Sequence, residues 1–198
     1  MSVTGEAIPG YVRRYVEETH AALSDPFLAA GVARVIPVFL AARDEGRTIF
    51  FFGNGGSAST ASHFVCDIGK ATIRGGGARF RCVALNDSVE SVTAWANDTE
   101  YARVFSEQLI GLGHPGDVAV GISGSGNSPN VLRALEVARA RGLHTVALTG
   151  MGGGKLAPLA DIALVVPSNN MQHIEDAHLL ICHLLTSYLR DEAPGAPG

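Results

Sequence analysis

Five short apolar runs, at residues 48–53, 80–85, 117–122, 144–148 and 162–166, alternate along this chain with segments of helical length. The first of them, Thr48-Ile49-Phe50-Phe51-Phe52 ending in Gly53, is short and continuously apolar, the signature of a parallel strand covered on both faces. Strands alternating with helices build βαβ units, and these close into one parallel sheet between two helical layers. The predicted class is therefore α/β. A five-stranded parallel sheet is flanked by helices, preceded by an N-terminal helical pair and followed by a long C-terminal helix.

Local signals set the helices. Helical spacing covers about residues 9–23, and Asp25-Pro26 is an N-cap followed by proline at the first helical position. That second helix runs to about Arg43, with Gly46 placed to stop it. Further helices are expected near 57–70, 88–111 with a break allowed at Asn97-Asp98, 129–141 and 171–190, with a short turn near 155–159. The helical pair at 1–46 is assigned to the same domain as the sheet region at 47–191, with an oligomerisation role. The Pro/Gly-rich tail at 192–198 is expected to fray.

Composition removes several function classes. The 198 residues make about one domain, with 46% hydrophobic and 17% charged residues, the balance of a globular chain. The net charge is -4 and the basic residues are scattered, so no electrostatic footprint for nucleic acid exists. The first residues lack a basic stretch followed by an apolar run, and no unbroken apolar stretch approaches about 18 residues, so neither a signal peptide nor a membrane span is expected. Three separated cysteines, Cys66, Cys82 and Cys182, form no disulfide framework and suit a reducing cytoplasm. The positive mean hydropathy of +0.20 fits either a surface covered by a partner subunit or a well-filled α/β core.

In such folds ligands sit beyond the carboxyl ends of the strands, and two loops there are suited to an anion. After the aromatic strand comes Gly53-Asn54-Gly55-Gly56-Ser57-Ala58. Its glycines admit close approach of an anion, and the next helix directs unpaired N–H groups at the same point. After the third strand comes Gly121-Ile122-Ser123-Gly124-Ser125-Gly126-Asn127-Ser128-Pro129. The Ser123, Ser125 and Ser128 hydroxyls and the helix amides can surround a phosphomonoester without Lys or Arg. Ser128 taken alone reads as a helix cap, which leaves ligand contact open. A nucleotide cofactor is not expected. Gly152-Gly153-Gly154-Lys155 is followed by Leu156 where Ser or Thr must hold magnesium, and the acidic Asp87 lies about 30 residues beyond the glycines, where a nicotinamide site needs about 20.

Together the two loops resemble the sugar isomerase (SIS) family, in its phosphoheptose isomerase branch. Ala96-Asn97-Asp98, Val146-Ala147-Leu148-Thr149-Gly150, Leu159-Ala160-Asp161 and Val166-Pro167-Ser168 add to the likeness, which covers nearly the whole chain. The resemblance implies a homotetramer with active sites at subunit interfaces, converting sedoheptulose 7-phosphate to a heptose 7-phosphate. Phosphate would be held by Ser57, Ser123, Ser125 and Ser128, with Asn54 lining the pocket. Gly55, Gly56, Asn97, Asp98, Gly124 and Glu175 complete the implied substrate-contacting set.

Isomerising a ketose needs a base at carbon and an acid/base near the oxygens. His63 and Asp67, four apart on one helix, share a face; Glu175, His178 and His183 are the candidates on the last helix. By resemblance Asp67 is the base, His183 its acid/base partner, and His63, Asp67, Glu175 and His183 the ligands of a divalent metal, usually zinc. Asp67 stands where the family has glutamate, Glu175 where it has glutamine, Gly124 where it has threonine, and Gln172 near a usual acidic or hydroxyl residue. Glu175 and His183 are about 12 Å apart in helix rise. They can share one ion only if Glu175 lies at a frayed helix start or if different subunits contribute. On the residues alone, His63 reads equally as a satisfied core histidine and Asp67 as a partner of Lys70 or a neighbouring chain. His178 faces packing or solvent. Cys66 and Cys182 are small core residues, Trp95 packs, and 73–79 is a rim loop or a solvated linker. Two alternatives stay open beside the heptose isomerase. One is a non-catalytic SIS adaptor or sugar-phosphate sensor; the other is an isomerase or epimerase of another sugar phosphate.

Overall fold

The computed structural model describes residues 7–73 and 77–191. Five strands, β1 (Thr48–Gly53), β2 (Arg81–Ala84), β3 (Val118–Ser123), β4 (His144–Thr149) and β5 (Ile162–Val165), form one sheet in the order β2-β1-β3-β4-β5. Every neighbouring pair is parallel. The helices are α1 (Ala7–Leu23), α2 (Pro26–Asp44), α3 (Gly56–Ala71), α4 (Val89–Asp98), α5 (Ser106–Leu112), α6 (Pro129–Ala140) and α7 (Met171–Asp191).

Alternation along β1 divides the core in two. Ile49 and Phe51 face α2, α3 and α7, with Phe39, Phe64, Ile181 and Leu185 in the same cluster. Phe50 and Phe52 face the other way, toward Phe105 of the segment before α5 and Val131 and Leu135 of α6. The central strands β1, β3 and β4 are thus covered on both sides, which is why the sequence shows apolar runs there rather than alternation, while the edge strand β2 leaves Arg81 and Val83 exposed.

Three local expectations change. The segment over 88–111, expected helical with a break allowed at Asn97-Asp98, is three pieces: α4, a 3-10 turn at Tyr101–Arg103, and α5. The break at Thr99, whose φ and ψ are -132° and -101°, falls just past Asn97-Asp98. Trp95 is 37% exposed and α4 buries no residue fully, so Trp95 packs only in part within this chain. Finally, the sequence shows no unbroken apolar stretch near 18 residues, yet α2 taken whole is long and apolar enough by composition to cross a membrane, a test that the core helix of a globular chain also passes. It nonetheless buries Leu28, Val32, Val35 and Phe39 in the core, and its Arg34 donates to the Asp161 carbonyl. The rim loop expected at 73–79 falls in part, and the tail at 192–198 wholly, outside the described residues.

Topology creates the site. From β1 the chain goes to β2 on one side, then crosses to β3 on the other, so the carboxyl ends of β1 and β3 are the switch point of the sheet. Gly53 and Ile122 are paired at those ends, and both glycine–serine loops leave from there.

Candidate functional site

The two loops share one cavity of about 280 Å³, lined by Asn54, Gly55, Gly56, Ser57, Ser123, Gly124, Ser125, Ser128, Met171 and Glu175. Gly53 allows the approach. A Cβ there would stand 2.7 Å from Ser57 Cβ and 2.8 Å from the Ile122 carbonyl oxygen, so any side chain would push the first turn of α3 off the end of β3. Gly55, with φ of 53°, turns the chain into α3 in a conformation that favours glycine.

The hydroxyls are turned inward. Ser128 occupies the N-cap position of α6 but makes no side-chain cap; its Oγ lies 2.9 Å from Ser123 Oγ. Capping is therefore not what this hydroxyl does. Ser57 is buried and its hydroxyl has no hydrogen bond among the described residues. Ser125 Oγ accepts from the Asn127 amide at 3.2 Å and so also shapes its own turn. The amino ends of α3 and α6 both open on this cavity, and neither carries a side-chain cap. The Ser57, Ala58 and Val131 amides there donate to nearby backbone carbonyls, so it is chiefly the dipoles of the two helix ends that favour an anion.

Glu175 enters the same cavity. Its carboxylate rests on the first residue of α3, so close that a Cβ on Gly56 would be 2.6 Å from Oε1. Met171 covers the floor, its sulfur filling the space a Gly124 Cβ would need.

A second cluster lies farther along the same helices. α3 and α7 run parallel, Gly56 against Glu175 and, seven and eight residues on, His63 against His183. His63 Nε2 is 2.9 Å from His183 Nε2 and 3.2 Å from Asp67 Oδ2; His183 Nε2 is 3.9 Å from that oxygen. Asp67 thus pairs with the imidazoles and not with Lys70, and His63 is no core histidine, since 42% of its side chain is accessible.

Three electron-pair donors converging on one point need either a shared proton or a cation. The spacings are close to the edges of a tetrahedron with metal–ligand bonds of about 2.0–2.1 Å, which are about 3.3 Å long. The group therefore fits a divalent metal. Cys182 Sγ also lies within 4.8 Å of the His63 and Asp67 donors. Of the two cysteines expected in the core, Cys182 is buried and Cys66 is exposed; burial pushes the Cys182 thiol up to about 12. Glu175 does not join this group within the chain. It is four residues inside α7, in regular helix rather than at a frayed start.

Other candidates sit apart. Asn97 donates to Asp98 at 2.8 Å at the exposed end of α4, and neither lines the cavity. His178 is buried and its Nε2 lies 3.3 Å from the Thr149 carbonyl, so of the two readings packing holds. Burial lowers its pKa to about 4. Asn130, Tyr101 and Met171 also border the loops without a local signal in the sequence. Asn130 directly follows the Ser128-Pro129 end of the second loop, but nothing local signals a side chain facing Asn54.

The model of the SIS domain matches residues 9–150. The phosphoheptose isomerase of Paramagnetospirillum magneticum is 42% identical over 179 residues, covering 90% of this chain and 89% of that protein. That of Akkermansia muciniphila is 35% identical over 91% of this chain and 98% of its own length. Among solved structures, phosphoheptose isomerase GmhA from Neisseria gonorrhoeae superposes with a TM-score of 0.83 at 33% identity, over 92% of this chain and 98% of that one. On this fold, these loops and these likenesses, the chain belongs to the SIS-domain family and, within it, to the phosphoheptose isomerases.

Proposed function

We propose that this chain isomerises sedoheptulose 7-phosphate to an aldose heptose 7-phosphate through an enediol. The observation that carries the proposal is one groove with two ends: an anion cavity where α3 begins and an acid–base cluster farther along the same helix. From Gly56 to His63 the helix rises about 10 Å, which suits a sugar extended from a terminal phosphate to its reacting carbons.

At one end the phosphate takes hydrogen bonds from Ser57, Ser123 and Ser128 and from the amino ends of α3 and α6. At the other, Asp67 removes the proton on C1, electrons move into a C1–C2 double bond, and the carbonyl oxygen at C2 becomes a hydroxyl. The proton is then returned to C2 as the C1 oxygen becomes the aldehyde. His183 moves the proton between the two oxygens. His63, between Asp67 and His183, fixes both. A divalent metal, zinc by the donor types, would be held by His63, Asp67 and His183 and would polarise the two substrate oxygens. Glu175 could reach such an ion only from a partner subunit.

The reaction needs water excluded, yet His63 and His183 side chains are 42% and 53% accessible in the single chain. Beside them Leu180, Leu184 and Tyr188 leave α7 exposed, as do Val12 and Val16 on α1. We take these faces as subunit contacts of a homotetramer that completes the site, in a cytoplasmic enzyme. No observation favours an adaptor, because an adaptor has no use for two imidazoles and a carboxylate within 3.9 Å.

Turnover of sedoheptulose 7-phosphate with zinc supplied, followed by NMR, tests this. Aldose formation is expected; no turnover across a panel of ketose phosphates would overturn it.

A further inference from the structure

The phosphate loops are separated by about seventy residues, and beyond the ends of β1 and β3 side chains must hold them together. One pair does so reciprocally. Asn54 Nδ2 donates to Asn130 Oδ1 at 2.9 Å, and Asn130 Nδ2 donates back to Asn54 Oδ1 at 2.8 Å. Asn130 is 1% exposed. Its Oδ1 also accepts from the Val131 amide at 3.0 Å, and the Tyr101 hydroxyl donates to Asn54 Oδ1 at 3.0 Å.

These partners fix the arrangement. The Val131 N–H is a donor only, so the Asn130 oxygen must face it, and that sets the direction of both carboxamides. Each carboxamide oxygen then accepts two hydrogen bonds, which is its capacity. Asn54 therefore has no acceptor left for a sugar hydroxyl.

We propose that Asn130, aided by Tyr101, is a positioning residue that clamps the loop after β1 to the loop after β3. The clamp sets the gap between Ser57 and the Ser123–Ser128 pair, and Asn54 serves it through its oxygen and one of its two N–H groups. The inference rests on the reading of this cavity as a phosphate site. A clamp of this kind acts on the remote phosphate and leaves proton transfer at Asp67 and His183 unchanged, so its loss appears in binding and not in the chemical step.

The test compares Asn130→Asp, Asn130→Ala, Asn54→Ala, the Asn54→Ala/Asn130→Ala double variant, Tyr101→Phe and Ser128→Ala in the full chain. Readouts are the inhibition constant of inorganic phosphate, KM and kcat with sedoheptulose 7-phosphate, and the melting temperature. Both Asn130 variants should raise KM and the phosphate constant about tenfold with kcat within about threefold. The double variant should be no worse than the weaker-binding single variant, since one contact is removed either way. Tyr101→Phe should move the same constants about twofold to threefold with melting unchanged, which keeps the test decisive if the Asn130 variants fail to fold. Unchanged phosphate affinity, a fall confined to kcat, or losses that multiply in the double variant would overturn the clamp. If Ser128→Ala weakens phosphate and the clamp variants do not, the clamp alone fails. If wild type and Ser128→Ala both ignore phosphate, the phosphate-site reading fails with it.

Discussion

His63 on α3 and His183 on α7 meet nitrogen to nitrogen at 2.9 Å, with the Asp67 carboxylate 3.2 Å from the first imidazole. The two helices pack in parallel, so the same pair that brings Gly56 to Glu175 brings these imidazoles together about two turns later. On the proposed function, binding and chemistry thus lie on one helix pair.

Removing the base or its partner should strike kcat. Asp67→Asn and His183→Asn are each expected to lower kcat by about 10²–10⁴-fold with KM changed less than a few-fold, because the phosphate grip lies at the other end of the groove. Steady-state kinetics check this. A large rise in KM with kcat intact would move both residues from chemistry to binding.

Glu175 brings a carboxylate into a cavity read as holding a dianion. Glu175→Gln removes that repulsion and is expected to lower the inhibition constant of inorganic phosphate about fivefold, or about 1 kcal/mol of charge–charge energy at a half-exposed site. Competitive inhibition at fixed ionic strength measures it. Weaker phosphate binding in the variant would show that the carboxylate assists the ligand.

Gly124 and Met171 should be coupled, since the Met171 sulfur fills the space of a Gly124 Cβ. Gly124→Thr alone is expected to weaken substrate binding and to destabilise by about 1–3 kcal/mol through overpacking. Adding Met171→Ala should recover most of that loss. Urea titration of the three variants decides it, and additive losses would mean the two positions do not share the space.

His178 makes stability depend on pH. Its buried imidazole has a pKa of about 4 against about 6.5 in the unfolded chain, so between these values the unfolded chain binds a proton that the folded chain refuses. The stability from burying the neutral ring is complete above pH 6.5 and is lost as pH falls toward 4. The urea midpoint should drop between pH 7.5 and pH 5, and His178→Gln should flatten part of that drop. An identical decline in the variant would assign it to other groups.

Much of this was legible in the sequence because it is local. Apolar runs gave the strands, Asp25-Pro26 the start of α2, where Asp25 Oδ1 accepts from the Leu28 amide at 2.9 Å, and glycine–serine turns the two loops that line the cavity. What escaped lies between elements far apart in the chain. Local rules favour Ser128 as a cap, but Ser123 across the turn takes its hydroxyl. Cys182 reads as a core residue, yet its sulfur also lies near His63 and Asp67 because α3 packs on that side of α7. The Asn54–Asn130 pair and the Met171 sulfur over Gly124 depend on how β1, β3 and α7 come together, which no single window contains. Asn97 and Asp98 were placed by likeness to a motif, and in the chain they bond to each other outside the cavity.

The central claim is that one sugar phosphate spans both ends of the α3–α7 groove. A crystal structure of the protein soaked with sedoheptulose 7-phosphate tests it most directly. The phosphate is expected within hydrogen-bond distance of Ser57, Ser123 and Ser128, with C1 and C2 against Asp67 and His183. A phosphate bound elsewhere, or a sugar whose reacting carbons point away from those two residues, would contradict it.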